Sequence, residues 1–313
     1  MRSSLLVPQY PIIHHLTTSS WRAAMRIPYY PGCSLNTKAK GFDNSARASA
    51  RAVGLELVEL EEWNCCGATF PLLVDNMLDL AGPTQVLVSA RREGERLAVA
   101  CSTCYNVLKR TNRVLREDED GREKLNFFLD ADYDGDLEVL DLLQILRDDI
   151  GFDKIKEAVK KPLSGLKVAA FYGCMVLRPP NEVAYDDPEN PRALDDLMIA
   201  LGAEAVDYSH KGECCGAYLA VKSVDVTAEM SFTILDSAQR SGAELVVTNC
   251  PLCQFNLDRM QKAMSSRHSG FRPIPILYFT QLMGIALGLD SESFELDRHY
   301  VDPRPLLKSK ELI

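Results

Sequence analysis

The chain has 313 residues, of which 46% are hydrophobic and 25% charged, and its net charge is −9. This length accommodates two ordinary domains, each able to bury its own core. The acidic charge excludes nucleic acid and an anionic membrane surface as main partners, and no apolar stretch approaches the roughly 20 residues of a transmembrane helix.

Predicted elements follow in chain order from the pattern of apolar residues. Residues 1–24 contain an apolar patch broken by prolines and histidines, which we interpret as a weakly structured extension and not as a secretory signal. Beyond it, strands are predicted at 27–30, 58–60, 97–100, 168–172, 205–208 and 245–247, and helices at 45–53, 72–93, 107–117 and 227–241. A last apolar run, 274–289, is predicted to be a buried strand that leads into a helix. Alternating strands and helices predict the α/β class, with parallel sheets.

The cysteines reveal an internal repeat. Ten cysteines form two sets with the pattern C–x(n)–CCG–x33–CxxC: Cys33, Cys65, Cys66, Cys101 and Cys104 (the first set), then Cys174, Cys214, Cys215, Cys250 and Cys253 (the second set). Four of the five positions repeat at an offset of 149 residues and the remaining one at 141, so the second half has eight extra residues, which we place in the polar stretch 179–191. We interpret the repeat as a duplication of two similar parallel-sheet α/β domains, 25–150 and 151–313.

Two polar stretches, 118–136 and 156–162, are predicted to bridge the halves. Within the first, the acidic run 130–138 resembles the start of a calcium loop, but Asp141 stands at its position 12, where a glutamate is expected. We interpret this run as a solvated acidic linker.

The cysteine content points to metal or redox chemistry. Ten cysteines are too few for a disulfide scaffold in a chain of this length, and without an export signal their thiols stay reduced. The first and fourth cysteine of each set follow a predicted strand closely, so we expect them at the carboxyl edge of each sheet. Cysteine thiolates are the usual ligands of iron–sulfur clusters, and Gly67 and Gly216 would supply the turn and the close approach to inorganic sulfide.

Other interpretations remain open at this point. A zinc site takes four ligands, usually from two CxxC pairs, whereas each set offers one pair and a fifth thiol, so zinc at one site is a minor alternative. A thioredoxin-type dithiol would leave three cysteines of each set unexplained. Tyr105 and Gln254 directly follow the CxxC pairs and either contact substrate or sulfide or begin packed helices. His210 is either an outer donor to Cys214 or an exposed loop residue.

The double motif, with Tyr30-Pro31-Gly32-Cys33-Ser34 and Cys250-Pro251-Leu252-Cys253-Gln254, resembles the CCG-domain, cysteine-rich iron–sulfur family that includes the B subunit of heterodisulfide reductase. The resemblance covers nearly all of residues 25–290. It implies that each set ligates a noncubane [4Fe–4S] cluster near the interface of the two domains. The chemistry, reduction of a mixed disulfide of two thiol coenzymes, would then occur at the clusters, so no side chain is assigned as catalytic.

The resemblance also implies partners. Electrons would arrive from a ferredoxin-like iron–sulfur subunit of the C type, which is fed by a flavin subunit of the A type, in the cytoplasm. Met175 and Gln254 stand where methanogen versions carry histidine, which indicates a bacterial-type relative whose disulfide need not be the methanogenic one.

Two functions other than disulfide reduction fit the same residues. The chain could be a non-catalytic electron relay within a larger low-potential oxidoreductase, or an assembly module stapled by zinc. An exposed cleft between the two cysteine sets favours the enzyme, whereas sets sealed by protein favour the relay.

Overall fold

The computed structural model describes residues 24–68, 76–183 and 185–313, and almost all of the predicted extension lies outside them. Two four-stranded parallel sheets form the framework. The first sheet contains β1 (Met25–Tyr30), β2 (Leu55–Glu59), β3 (Arg96–Val99) and β4 (Glu138–Asp141), in the order β2-β1-β3-β4. The second contains β5 (Lys167–Phe171), β6 (Glu204–Val206), β7 (Leu245–Thr248) and β8 (Ile276–Tyr278), in the order β6-β5-β7-β8. The matching orders confirm two α/β domains that arose by duplication.

Helices cover both sheets, so most residues of the central strands are buried. All four residues of β7 are buried, as expected for a parallel strand between two layers of helices. The helices of the first half are α1 (Gly32–Thr37), α2 (Lys40–Ala52), α3 (Ala81–Glu93), α4 (Ser102–Glu117), α5 (Glu119–Leu129), α6 (Leu142–Ile145) and α7 (Phe152–Ala158). Those of the second are α8 (Pro180–Val183), α9 (Ala193–Ala200), α10 (Leu219–Lys222), α11 (Val224–Arg240), α12 (Pro251–Arg259), α13 (Gln261–Arg267), α14 (Phe279–Ala286) and α15 (Arg304–Ser309).

The predicted helix 107–117 begins five residues earlier, at Ser102, because the CxxC motif itself forms the first turn of α4 with Cys101 as its N-cap. The second CxxC motif begins α12 in the same way, with Cys250 as N-cap. The predicted helix 72–93 is divided: a 3-10 turn at Met77–Leu80 precedes α3, and the start of the prediction lies outside the described residues. The expected strand-to-helix run at 274–289 is confirmed as β8 and α14.

The prediction that residues 118–136 bridge the halves is wrong. Most of this stretch is α5, which packs against α3 and α4 of the first half, with Leu125 fully buried. Asp118 caps α5 by accepting from Gly121 N at 2.9 Å, and Asp136 forms an ion pair with Arg91 at 2.7 Å. The high charge of the segment obscures an amphipathic helix that belongs to the first domain.

In each half, the helix that follows the last strand of the sheet packs against the other half. The α14 helix of the second half packs against α2 of the first, and α6 of the first packs against α9 of the second. At the first of these contacts Ser45 Oγ lies 2.6 Å from Thr280 Oγ1, and the rings of Phe42 and Tyr278 stack at 4.4 Å. One hydrophobic cluster contains buried residues of both halves, and a second, smaller cluster belongs to the second half alone. Because residues on both sides of position 150 pack together, the packing does not mark a domain boundary there. The boundary at residue 150 stays our proposal.

None of the helices in the described part of the chain combines the length and the apolar character needed to cross a membrane.

Candidate functional site

Cysteines of each set lie at the carboxyl edge of their sheet, as the strand pattern predicts. Cys33 follows β1 and Cys101 follows β3, and these two strands are neighbours in the first sheet. Cys174 and Cys250 follow the neighbouring strands β5 and β7 in the same way. Parallel strands thus deliver the first and fourth cysteine of each set to one place.

The five thiols of the first set meet in a chain of contacts. Cys65 Sγ lies 3.7 Å from Cys33 Sγ, and Cys66 Sγ lies 3.4 Å from Cys104 Sγ. The thiols of Cys101 and Cys104 are also hydrogen-bonded, as are those of the adjacent Cys65 and Cys66. Cys33 and Cys65 are exposed, whereas the other three are buried, so the first set is open on one side.

Thiols of the second set also converge but are more enclosed. Cys215 Sγ lies 3.4 Å from Cys253 Sγ, and hydrogen bonds join Cys253 to Cys250 and Cys174 to Cys214. Cys174 and Cys214 are only partly exposed. The Asn256 amide Nδ2 donates to the Cys215 carbonyl at 3.2 Å and so holds the adjacent pair in place.

Hydrogen bonds between thiols stabilise thiolates in both sets. The thiol of Cys104 lowers the pKa of Cys66 to about 3. Cys174 lowers the pKa of Cys214 to about 6, and Cys253 lowers the pKa of Cys250 to about 7. The lowered pKa of one thiol in each contact favours its thiolate form, the form that binds a metal.

Both CCG segments turn sharply, as the two glycines predict. Gly67 and Gly216 have φ of +77° and +90°, and the alanines after them, Ala68 and Ala217, have φ of +55° and +42°. The turn directs each glycine N–H to the sulfur of the first cysteine of the adjacent pair, at 3.4 Å in both halves. Backbone donors of this kind stabilise negative charge on sulfur.

A second pair of glycines, which spacing alone does not single out, borders the sulfurs. Gly32 and Gly173 have φ of +71° and +68° and lie just before the first cysteine of each set. A Cβ at Gly32 would lie 3.0 Å from Cys104 Sγ, and one at Gly173 would lie 3.0 Å from Cys253 Sγ. The Tyr-Pro-Gly-Cys and Tyr-Gly-Cys repeats are the sequence signal for these positions.

The two CxxC motifs contact each other across the domain interface. Ser102 Oγ and N both donate to the Asn249 carbonyl, at 3.1 and 3.4 Å, and Thr103 Oγ1 lies 3.8 Å from Cys250 Sγ. The amino ends of α4 and α12 therefore adjoin, which brings the two sets close together.

A cavity of about 220 Å³, called here the interdomain cavity, lies against the first set. All five cysteines of the first set line it, and residues of the second half form its opposite wall. The lining residues are Cys33, Ser34, Lys38, Ala39, Cys65, Cys66, Ala68, Cys101, Thr103, Cys104, Tyr218, Pro251, Leu252, Gln254, Phe255 and Tyr278. Most of this lining is apolar apart from the thiols, and Lys38 is the one Lys, Arg, Asp or Glu among these described residues.

The two residues that follow the CxxC motifs have different surroundings. Gln254 lies in the first turn of α12 and lines the interdomain cavity, and its contact with substrate stays a prediction. Tyr105 is fully buried and donates to the Val183 carbonyl at 3.0 Å, so it packs the interface. His210 pairs with its neighbour Ser209 at 3.0 Å.

Behind the cavity wall lies a polar cluster that sequence reasoning does not find. Gln254 is bonded to Asp258 and Tyr278, and His299 from the C-terminal region completes the group. These residues are distant in sequence and show no ligand spacing. The one signal is Gln281, which forms a capping box with Tyr278 at the start of α14.

The donor set fits soft metal chemistry, because every convergent ligand is a thiol. Sulfur–sulfur distances of 3.4–3.7 Å bring the thiols within the range of a shared inorganic centre. In the described ranges, no group of three or more Cys, His, Asp or Glu side chains is arranged to hold a single metal ion. This finding includes the acidic run at 130–138.

Comparison with known proteins identifies the repeat. The sequence profile of the cysteine-rich domain called CCG matches residues 27–109 and again residues 168–258. The two matched segments contain the first and the second set, respectively.

Similar sequences cover nearly the whole chain. The membrane anchor of the 8-methylmenaquinol:fumarate reductase of Wolinella succinogenes is 34% identical over 281 residues, which are 89% of this chain and 98% of that protein. A protein of Archaeoglobus profundus, named as similar to the B subunit of heterodisulfide reductase, is 31% identical, over 83% of this chain and 90% of that one. The B subunit of the ferredoxin:CoB-CoM heterodisulfide reductase of Methanosarcina mazei is 28% identical, over 88% and 94%.

Among solved structures, a hypothetical protein from Helicobacter pylori matches with a TM-score of 0.69 at 13% identity. The match covers 90% of this chain and 54% of that one, and it supports the fold alone.

Proposed function

This chain belongs to the family of proteins with the CCG cysteine-rich domain, and from that premise we propose that it is the iron–sulfur subunit of a disulfide-reducing complex. Relatives over nearly its whole length are named as subunits of heterodisulfide or fumarate reductases. These names support a role as one component of a larger oxidoreductase assembly.

We assign each cysteine set as the ligands of one [4Fe–4S] cluster of noncubane type. Support comes from the convergence of five thiols in each half and from the lowered pKa of Cys66, Cys214 and Cys250. Gly67 and Gly216 would lie against the cluster, with their N–H groups directed to sulfur. When bound, two such clusters supply single electrons, and a disulfide needs two.

The observation that carries the proposal is the interdomain cavity. It brings the five first-set thiols and a wall from the second half around one space, with Cys33 and Cys65 exposed. Such a cleft lets a small molecule reach the first set, whereas an electron relay needs no such space. The overall change is RS–SR′ + 2 e⁻ + 2 H⁺ → RSH + R′SH, so the S–S bond breaks and each sulfur gains a proton.

Side chains of the cavity indicate how a disulfide would be held. Lys38 is exposed at the cavity edge and would pair with an anionic tail of the substrate. Leu252 and Phe255 offer apolar surface to the rest of the molecule and exclude water from the thiols. Tyr278, Gln254 and Tyr218 are the polar residues that the second half contributes to the lining.

A second candidate function is quinol oxidation, in which the complex takes electrons from a hydroquinone instead of giving them to a disulfide. The apolar lining of the cavity favours it, because Phe255, Tyr218 and Tyr278 offer aromatic surface against which a flat ring would pack. The 34% identical relative from Wolinella succinogenes is named for a quinol substrate.

Partners and location follow from the same premise. Electrons would enter from a ferredoxin-like partner of the C type, supplied by a flavin partner of the A type, on the cytoplasmic side. Since one relative is named as a membrane anchor, attachment to a membrane through a further partner is part of this proposal.

Metal analysis tests the cluster assignment. Anaerobically purified protein is expected to contain about eight irons and eight acid-labile sulfides per chain, because each [4Fe–4S] cluster carries four of each. Zinc without iron would refute the assignment and favour the assembly module. Iron and zinc are measured together by mass spectrometry on the same sample.

Turnover tests the substrate. The complex purified with its partner chains should oxidise a reduced viologen dye only when a disulfide is present, releasing two thiols for every two electrons. Thiol release is counted with a chromogenic reagent, and protein without iron serves as the control. Reduction of the complex by a naphthohydroquinone, without disulfide turnover, would favour the second candidate.

A further inference from the structure

The two halves differ in the segment that follows the first cysteine of each set. In the first half, residues 38 and 39 alone separate α1 from α2, and both of them line the interdomain cavity. In the second half, the turn that contains Cys174 is followed by a longer segment, and the next long helix, α9, begins at Ala193. The extra residues of the second half therefore fall at the place where the first half borders the cavity.

Part of this longer segment packs onto the first half. Residues 179–183, which include α8, and Tyr185 are called here the plug. Val183 is fully buried and Tyr185 is 3% exposed. The α8 helix packs against α4, whose first turn contains the first CxxC motif. The plug thus lies at the domain interface, beside the start of α4.

Polar contacts fix the plug to the first half. Four side chains of the first half bind it: Tyr105 donates to the Val183 carbonyl at 3.0 Å, Arg110 pairs with Glu182 at 2.7 Å, Arg113 donates to the Asn181 carbonyl at 3.1 Å, and Arg147 donates to the Tyr185 carbonyl at 3.1 Å. Three of these contacts end on a backbone carbonyl, so they fix the path of the chain and not only its side chains. The plug is therefore a built part of the interface.

The internal repeat relates the plug to the interdomain cavity. Tyr105 and Gln254 occupy equivalent positions, 149 residues apart, as do Asn106 and Phe255. Gln254 and Phe255 line the cavity, whereas Tyr105 and Asn106 are buried. Tyr105 is bonded to the plug, and Asn106 Nδ2 donates at 2.7 Å to the carbonyl of Arg178, the residue directly before it. Protein atoms in the second half thus occupy the place that corresponds to the open space in the first.

The exposure of the thiols agrees with this difference. Cys33 and Cys65 of the first set are exposed, whereas their equivalents in the second set, Cys174 and Cys214, are only partly exposed. The other three thiols are buried in both sets. The two sets have the same ligands and different access from solvent.

We propose that a thiol or disulfide ligand binds at the first set alone, because the plug denies it the equivalent place at the second set. Tyr105 determines the difference, since Gln254 leaves at its own position the space that the Tyr105 ring and the plug fill. The inference rests on the proposed function in taking the interdomain cavity as the ligand site. Both electrons then reach a disulfide through the first set, one of them passed on from the second, and two electrons and two protons are still used for each S–S bond.

Titration with benzyl mercaptan, a small aromatic thiol, tests the proposal by spectroscopy. EPR spectra of anaerobically purified protein with its native metal content are recorded as the thiol is added. The signal that Cys66→Ser removes should shift, whereas the signal that Cys215→Ser removes should stay unchanged.

Equilibrium dialysis with radiolabelled benzyl mercaptan provides a second measurement, which does not depend on a metal signal. At saturation the unaltered protein should bind one thiol per chain, and so should Cys215→Ser. At the same thiol concentration, Cys66→Ser should bind much less, because Cys66 lines the interdomain cavity.

Exchange of the two equivalent residues separates the plug from the rest of the fold. Gln254→Tyr places a ring at the cavity and should weaken thiol binding about tenfold or more. Tyr105→Gln removes the ring from the plug, so the second EPR signal should now also shift and a second thiol should bind. Tyr105→Phe is the control: it keeps the ring, loses the bond to Val183 and should behave as the unaltered protein. Circular dichroism shows which variants are folded, and Gln254→Tyr decides the test if Tyr105→Gln is not.

Three results would overturn the inference. The first is a shift of both signals, or two bound thiols per chain, in the unaltered protein. The second is that the unaltered protein binds no thiol, and the third is that Gln254→Tyr, or a folded Tyr105→Gln, binds thiol as the unaltered protein does. Iron and sulfide content of the same sample tests the proposed function separately: zinc with one bound thiol would refute the function and leave the difference in access, whereas iron with two bound thiols would do the reverse.

Discussion

Replacement of Cys66 by serine is expected to remove the cluster of the first half while the second half keeps its own. Iron should fall from about eight to about four per chain, and one of two EPR signals should disappear. The physical reason is that the Cys66 thiolate is the buried centre of the first set: it lies 3.4 Å from Cys104 Sγ and is bonded to the adjacent Cys65. Disulfide turnover should fall by more than about 100-fold, since even outer partners of metal ligands contribute 10–100-fold.

The duplication provides the matched variant. Cys215→Ser changes the equivalent cysteine, whose sulfur lies 3.4 Å from Cys253 Sγ, and it should remove the other signal. Because the cysteines that line the interdomain cavity all belong to the first set, Cys66→Ser should also weaken binding of the disulfide, whereas Cys215→Ser should not. Loss of both EPR signals in either single variant would contradict two separate sites.

Replacement of Gly32 by alanine is expected to empty the first site without unfolding the protein. The new Cβ would lie 3.0 Å from Cys104 Sγ, so the sulfur must move away from its partners. The residue also has φ of +71°, which costs about 1–2 kcal/mol for a side chain with a Cβ. We expect iron near four per chain and a modestly lower melting temperature, measured by metal analysis and circular dichroism.

Two glycine variants control for the separate effects of space and strain. Gly173→Ala places a Cβ 3.0 Å from Cys253 Sγ and should empty the second site. Gly242 has φ of +96° but no atom within 4 Å of an added Cβ, so Gly242→Ala carries the backbone strain alone and should keep all of its iron. Equal iron loss in Gly242→Ala and Gly32→Ala would show that contact with the sulfur is not the cause.

Much of the α/β framework can be predicted from the sequence because several cysteines of the repeat directly follow a strand. An apolar run directly before Cys101 and another before Cys250 predict strands that end at the site, and both are present as β3 and β7. The periodic pattern of apolar residues is a weaker signal in segments where most residues are charged. The α5 helix escapes prediction because it is strongly charged and Leu125 is its one buried apolar side chain.

The chemical wall of the cavity cannot be predicted in this way. Tyr278 follows the last strand, whereas His299 lies beyond the repeat, and they meet only because α14 crosses to the first half and the chain then returns past Asp258. Gln254 stands out for its place after a CxxC motif, but its partners depend on packing between distant segments. Sequence spacing can predict ligands that lie in the same local turn. It cannot predict contacts between segments that meet only in the tertiary structure.

The contact between the amino ends of α4 and α12 has a kinetic consequence. Ser102 is bonded twice to the Asn249 carbonyl, and one hydrophobic cluster is shared by both halves, so we expect little hinge motion between them. The distance between groups held by the two sets would then stay constant. Electrons would tunnel between them through the hydrogen-bonded backbone, and no movement of one half relative to the other would be needed first. The rate of this transfer should be insensitive to solvent viscosity, so glycerol or sucrose should slow the arrival of substrate and leave the internal transfer unchanged.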